Sequence, residues 1–347
     1  MSKTVKVMLC PSSSGPYLDN LSRELRAQGI EVTLIPWFGK QMPYSILRLI
    51  WSRLNGFRVL HINWMPFNRF WQLRFTTRLC DLLGLKVVWT IHNLVPHRTQ
   101  FGSTERDEAA MRTMFAWADR GVVHSTRAKE AAMSKYGDAL PLDVIHHGSY
   151  VDQVEPVDPV EARRKLGVPE DRLVVLMLGP NRWNKGIRAY LETVSRLPVG
   201  YIGLVAGACP DPAIRKTIID HQERYPDKFM LDLRRLSGGE IADYYAASDI
   251  LLMPFEWVTT SGTVIEALSH ARPVMTTDKG DMYEWVREGE TGFLVDSIDD
   301  MVSTLSGLTR DEARRMGANG RELASRRTWA DSAHQYAGIY LDLERDG

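Results

Sequence analysis

Two segments of this chain carry residues whose types and spacing suit a phosphate-bearing ligand. The first, Leu178-Gly-Pro-Asn-Arg-Trp-Asn-Lys-Gly-Ile187, follows an apolar run. Gly179 permits a tight turn there, and Arg182 and Lys185 set two cations near the start of the next helix. A helix N-terminus adds free N–H groups and partial positive charge. Together these would neutralise a diphosphate, the electrostatic help that a departing nucleotide needs. The same residues would also serve as a solvated basic turn. The second segment, Pro254 to Leu268, reads as a strand end followed by a helix that starts near Ser261, a natural cap. Thr260, Ser261, Gly262 and Thr263 bring hydroxyls and backbone donors to that helix start, and Glu266, one turn further in, could accept bonds from vicinal ribose hydroxyls. A capped helix carrying a glutamate is also commonplace.

Histidines mark the first half. His92 lies in Thr90-Ile-His-Asn-Leu-Val-Pro-His97, just after an apolar run, where an imidazole could act as acid or base near neutral pH. His97 closes the same segment. In Cys10-Pro-Ser-Ser-Ser-Gly-Pro-Tyr17, Gly15 would let the backbone approach a ligand. Neighbours on a strand point to opposite faces, so His146 and His147 are not expected to share a metal. His124-Ser125 would line a cleft or cap a helix equally well.

The elements that must position these residues alternate short apolar runs with longer helical periods, the pattern of parallel α/β units. Strands are expected at 5–9, 31–35, 59–63, 86–91, 121–124 and 142–146, with helices at 17–28, 43–55, 69–83, 104–118 and 126–136 between them. A polar stretch with two prolines, 150–159, reads as a linker. A second strand series follows at 172–178, 201–206, 229–233, 250–254 and 273–277. The fold class is therefore α/β with two Rossmann-like, doubly wound domains. In such sheets ligands bind beyond the carboxyl ends of the strands, where all the residues above fall.

Composition bounds the function. The 347 residues allow two domains; 44 % apolar and 25 % charged residues describe a globular protein. Net charge is zero, yet residues 40–86 hold Lys40, Arg48, Arg53, Arg58, Arg69, Arg74, Arg78 and Lys86 against Asp81 alone. Trp64, Phe67, Phe70, Trp71 and Phe75 interleave with these arginines. Such a surface suits peripheral contact with an anionic membrane through residues 43–86, or two helices packed on a sheet with their arginines in water. No nucleic-acid motif accompanies the patch, so no nucleic-acid partner is expected. Cys10, Cys80 and Cys209 are far apart and odd in number, which gives neither metal spacing nor a disulfide framework. Without a signal-like or membrane-spanning apolar run, the chain is expected to be cytoplasmic, free or on the inner face of a membrane. The absence of GxGxxG after an early strand disfavours a dinucleotide dehydrogenase.

Taken in order, Gly-x-x-Arg-x-x-Lys-Gly, Pro-…-Ser-Gly-x-x-x-Glu-Ala, Ala271-Arg-Pro-Val-Met-Thr-Thr277 and Gly289-Glu-Thr-Gly-Phe-Leu-Val295 resemble glycosyltransferase family 4 and its GT-B relatives. The strand 249–254 and Trp329 in a terminal helix fit as well. The resemblance implies a GT-B architecture whose two domains face each other across a cleft: an N-terminal acceptor domain, 1–150, and a C-terminal donor domain, 151–327. A last helix, 328–347, would cross back to the first domain. It implies a nucleoside diphosphate sugar as donor, uridine ahead of guanosine, with Arg182 and Lys185 on the diphosphate, Gly179 at the turn, Thr260 to Thr263 on phosphates and Glu266 on ribose. Gly15 would sit where relatives carry a glycine-rich turn, and His92 matches a histidine that touches the donor sugar. Transfer of a hexose-type sugar to an acceptor hydroxyl, retaining and with no metal or other cofactor, is the implied activity. The acceptor would be a glycan, a glycolipid or a small molecule, with polysaccharide assembly on a lipid carrier suggested by the basic patch. An inverting enzyme would need a base, for which His92 and Asp19 are the candidates. A sugar-nucleotide 2-epimerase and a non-catalytic nucleotide-sugar binder share the fold and remain alternatives. In one respect the chain departs from the family: a glutamate eight positions before Glu266 is usual, and here that position is Val258.

Overall fold

In the computed structural model the described residues are 5–12, 15–36, 41–64, 70–94 and 105–345. Lys40, Phe67, Arg69 and His97 lie outside them. The chain divides into two compact units, Met1–Gly148 with Trp329–Gly347, and Ser149–Thr328.

Unit 1 alternates β1 (Lys6–Cys10), α1 (Pro16–Ala27), β2 (Glu31–Leu34), α2 (Met42–Leu54), β3 (Val59–Ile62), α3 (Phe70–Leu82), β4 (Lys86–Thr90), α4 (Glu105–Trp117), β5 (Arg120–Val123), α5 (Thr126–Tyr136) and β6 (Leu142–Val144). The strands form one parallel sheet in the order β2-β1-β3-β4-β5-β6. β1 therefore pairs with β2 on one side (Val7 with Val32) and β3 on the other (Val7 with Val59). That junction is the topological switch point, where loops leave in opposite directions and open a crevice. The loops after β1 and β3, carrying Gly15 and Asn63, leave the sheet there.

Unit 2 repeats the plan: α6 (Pro159–Leu166), β7 (Leu173–Leu178), α7 (Ile187–Arg196), β8 (Tyr201–Ala206), α8 (Pro212–Arg224), β9 (Phe229–Asp232), α9 (Gly238–Ala247), β10 (Ile250–Met253), α10 (Gly262–Ser269), β11 (Val274–Thr276), α11 (Met282–Trp285), β12 (Gly292–Leu294), α12 (Ile298–Gly307) and α13 (Arg310–Ser325). Its sheet runs β12-β11-β10-β7-β8-β9, all parallel. Here the switch point lies between β7 and β10. Every residue of β7 is buried, because helices cover both faces of a central parallel strand. Helix α7 buries Ile187, Tyr190, Leu191 and Val194, the stripe that a 3.6-residue period places on one side. The strand β12, absent from the expected series, is only three residues long and pairs with β11, which is too short to show a period.

The unit boundary falls two residues before the expected domain end at 150. Ser149 donates its N–H to the Arg327 carbonyl at 2.8 Å, and Tyr150 to the Ser269 hydroxyl at 3.1 Å, so both belong to unit 2. The expected linker is itself structured: Val151–Gln153 forms a 3-10 turn, and Asp158 caps α6. The last helix, α14 (Trp329–Arg345), groups with unit 1. A buried polar chain ties it to the sheet: Tyr340 Oη meets His61 Nδ1 at 2.7 Å, His61 Nε2 meets Thr90 at 2.7 Å, Thr90 meets Tyr336 at 2.8 Å, and Tyr336 meets Tyr17 at 3.0 Å. Burial holds His61 neutral by lowering its pKa to about 3.

Candidate functional site

In unit 2 the loop after β7 folds back on itself. Gly179 has φ +99°, and a side chain there would meet the Lys185 ammonium at 2.8 Å. Lys185 donates to the Leu178 carbonyl at 3.0 Å. Its pKa is lowered to about 7, by burial first and by the Arg182 cation, with the Glu266 carboxylate partly offsetting both. An ammonium so destabilised gains from an incoming anion. Arg182 is exposed and precedes a 3-10 turn, Trp183–Lys185; α7 begins only at Ile187, after Gly186. The two cations thus sit on the turn ahead of the helix, and among the described residues Arg182 makes no ion pair with a carboxylate. Gly186 has φ +73°, and its Cα is pressed against the loop after β10, since an added Cβ would lie 1.8 Å from the Pro254 carbonyl oxygen.

That second loop is fastened from two sides. Glu256 donates its N–H to the Asn184 carbonyl at 2.9 Å. From the loop after β11, the Thr277 hydroxyl donates to the Phe255 carbonyl (2.8 Å) and Lys279 to the Glu256 carbonyl (2.6 Å). Asp281 donates its N–H to the Thr259 carbonyl at 2.8 Å. Gly280 lies so close beneath that a Cβ would meet the carbonyls of Thr259 and Val258 at 2.3 and 2.5 Å. Val258 packs half-buried against the unit 2 core, which fits an apolar residue where relatives carry a glutamate.

The expected ligand groups at the start of α10 divide. Ser261 caps the helix by accepting the Val264 N–H at 3.4 Å, which leaves its own proton for another partner. Gly262 and Thr263 open the helix, with Gly262 beneath the Tyr150 hydroxyl. Thr260 is different. Its hydroxyl donates to Asp281 Oδ2 at 2.7 Å, which ties this side chain to the loop after β11. Glu266 Oε2 accepts from Tyr245 Oη at 3.2 Å, and burial raises its pKa. The structure therefore gathers Gly179, Arg182, Lys185, Ser261, Gly262, Thr263 and Glu266 on loops flanking the β7/β10 switch point. Tyr245, Tyr150 and Asp281 escaped the reading of the sequence: each gains a role only from a neighbour distant in the chain. For Asp281, the one clue was an acid directly after Gly280 at a strand end.

In unit 1, Tyr17 is the centre of an aromatic cluster. Its ring meets His92 at 4.7 Å and His147 at 5.1 Å, both edge-on, and Trp329 at 4.8 Å. His92 contacts Asn63 through Nε2 (3.1 Å) and His124 through Nδ1 (3.2 Å). Burial lowers the pKa of His124 to about 4 and of His147 to about 3. Asp19 is exposed in the first turn of α1, whereas His92 contacts Asn63, His124 and Tyr17, so the two candidate bases do not form a pair. Gly15 precedes α1 at φ +79° with open space where a Cβ would stand. Gly148 lies against the Trp329 ring, which a Cβ would meet at 2.4 Å.

The basic aromatic helices carry apolar residues on both faces. α2 buries Ser45, Leu49 and Ser52 while Tyr44, Leu47, Trp51 and Leu54 stand exposed. α3 buries Gln72, Leu73, Thr76, Thr77 and Cys80 while Trp71, Phe75 and Leu82 are exposed beside Arg74 and Arg78. Arg48 and Arg53 turn inward, to Thr33 at 2.7 Å and to the Leu83 carbonyl at 2.7 Å. Packing against the sheet thus accounts for Leu49, Leu73 and Cys80 but not for the exposed aromatic and leucine side chains. Among the described residues no helix is long and apolar enough to cross a membrane, and no group of three His, Cys, Asp or Glu could hold a metal ion.

Residues 172–311 match the family model "Glycosyl transferases group 1". The chain is 26 % identical to a D-inositol 3-phosphate glycosyltransferase of Corynebacterium kroppenstedtii, over 96 % of this chain and 76 % of that one. Among solved structures it is similar to sucrose-phosphate synthase of Thermosynechococcus elongatus, with TM-score 0.83 and 20 % identity over 99 % of this chain and 100 % of that one. It is also similar to HepE of Anabaena in complex with UDP-glucose, with TM-score 0.77 and 15 % identity over 98 % of this chain and 100 % of that one. At these identities the solved structures attest the fold, two Rossmann-like domains of GT-B type.

Proposed function

We propose that this chain is a family 4-like glycosyltransferase of GT-B fold that moves a hexose-type sugar from a UDP-sugar, held by unit 2, to an acceptor hydroxyl. The observation that carries the reading is the convergence of the Arg182 and Lys185 cations, the α10 N-terminus and the Glu266 carboxylate at one switch point. Cations and helix donors there would stabilise the diphosphate as it leaves, and Glu266 would accept from the ribose. Uridine is preferred because the HepE relative in fold holds UDP-glucose.

Transfer is proposed to be retaining and metal-independent. The charge that a metal would neutralise meets Arg182 and Lys185 instead, and an oxygen of the departing diphosphate takes the acceptor's proton. Unit 1 is the proposed acceptor domain. The exposed face of its helices α2 and α3 favours an acceptor at a lipid surface: Trp51 and Trp71 suit the interface, and Arg74 and Arg78 suit anionic headgroups.

Calorimetric titration of UDP and GDP into wild type and into the Arg182→Ala/Lys185→Ala double variant tests the donor site. Micromolar UDP binding that the double variant loses is the expected result. Binding of neither nucleotide by folded protein would overturn the proposed site. Product analysis with UDP-hexoses then separates a new glycoside from an epimerised sugar nucleotide.

A further inference from the structure

The hydrogen-bond chain that ends on His92 has a direction set at its far end. His124 Nδ1 lies 2.9 Å from the Ile145 carbonyl oxygen, just past β6. A carbonyl only accepts, so His124 Nδ1 carries a proton. The ring is fully buried among other imidazoles: His147 lies 5.9 Å away, and His146 donates from Nδ1 to the His124 carbonyl at 3.2 Å. Burial and these neighbours hold it neutral. A neutral imidazole with its proton on Nδ1 has a lone pair on Nε2. That atom faces His92 Nδ1 at 3.2 Å, and the contact is a hydrogen bond only if His92 is the donor.

We infer that His124 is a positioning residue that fixes His92 in the Nδ1–H form, so that His92 takes up and releases a proton at Nε2 alone. Asn63 suits both states of that nitrogen. Its Oδ1 lies 3.1 Å from Nε2, the orientation that accepts from a protonated Nε2; rotation of the amide by half a turn presents an N–H to the unprotonated one. Tyr17, edge-on to His92 at 4.7 Å, restrains the ring's tilt. The tautomer of a residue at the end of β4 is thereby dictated by a backbone carbonyl at the end of β6, two strands away. This goes beyond the donor-site reading and does not depend on it.

Long-range proton–nitrogen correlation spectra of the full chain labelled with 15N-histidine test the inference, with His92→Gln and His124→Gln used for assignment. In wild type above the His92 midpoint, His92 and His124 should both show a protonated Nδ1 and a bare Nε2. In His124→Phe, His92 should redistribute toward the Nε2–H form that free histidine prefers. In His124→Gln, whose carbonyl can accept the same bond, Nδ1–H should persist. A proton on His92 Nε2 in neutral wild type would overturn the inference, and so would an unchanged His92 tautomer in folded His124→Phe. The wild-type spectrum decides even if that variant does not fold. No donor or acceptor enters the measurement, so failure of the transferase reading would leave its outcome intact.

Discussion

The Thr260 hydroxyl donates to Asp281 Oδ2 at 2.7 Å, while the second oxygen of that carboxyl, Oδ1, is buried with no hydrogen-bond partner. One residue of the loop after β10 is thereby held by an acid from the loop after β11. The Asp281 pKa is pushed up to about 8, by burial first and with help from Glu284, against the opposing effects of the Thr260 bond and Arg327.

A pH dependence of stability follows. The folded pKa lies above the ordinary 3.8, so the folded state holds the proton more tightly. The contribution is whole below about pH 4 and is lost as the pH rises toward 8, at up to about 1.4 kcal/mol per unit. Asp281→Asn cannot ionise and should remove this term. Denaturant unfolding of both proteins at pH 5 and pH 8 checks it: wild type should lose more stability across the interval than the variant. Equal losses would contradict the assignment.

Lys185 titrates in the opposite sense. Its pKa is lowered to about 7, so at pH 8 the side chain is mostly neutral in the free protein. A bound diphosphate favours the charged form, and UDP binding at pH 8 should draw a proton from the buffer. Calorimetry in two buffers of different ionisation enthalpy measures this uptake. Lys185→Arg, charged throughout, should bind without it.

Two glycines with the same backbone preference should respond differently to alanine. At Gly167, φ is +67°, ψ is +24° and the space is open, so Gly167→Ala should cost only the left-handed strain, roughly 1–2 kcal/mol. At Gly186 the added methyl also collides with the Pro254 carbonyl. Gly186→Ala should cost roughly 2–4 kcal/mol and weaken UDP binding, because it pushes apart the two loops proposed to hold the donor. Unfolding and UDP titration of both variants read the difference.

The face of α2 and α3 has its own test. Wild type should co-sediment with phosphatidylglycerol vesicles, less at high salt, and bind phosphatidylcholine weakly. Trp51→Asp with Trp71→Asp should lose at least tenfold in vesicle affinity while leaving UDP binding unchanged. Equal sedimentation of both proteins would remove the membrane from the account.

Much of this protein is written in local pattern. Alternating apolar runs and helical periods mark two parallel sheets, because a strand covered on both faces must be apolar throughout, as β7 is. Gly179, Lys185 and Glu266 could be named from spacing alone, since strand ends and helix starts are local events and the ligand-facing ends of parallel strands follow from them. What tertiary structure decided is whom each polar group faces. Thr260 and Ser261 are neighbouring hydroxyls at one helix start, yet one is committed to Asp281 and the other caps the helix. His92 and Asp19 were equal candidates as bases; packing gives His92 a partner on β5's loop and leaves Asp19 exposed. The apolar residues of α2 and α3 follow helical spacing, but burial depends on which face the sheet meets: Leu49, Leu73 and Cys80 go inward among serines and threonines, while Leu47, Trp51 and Trp71 stay exposed. Periodicity says which residues share a face of a helix; only the packed chain says which face is turned inward.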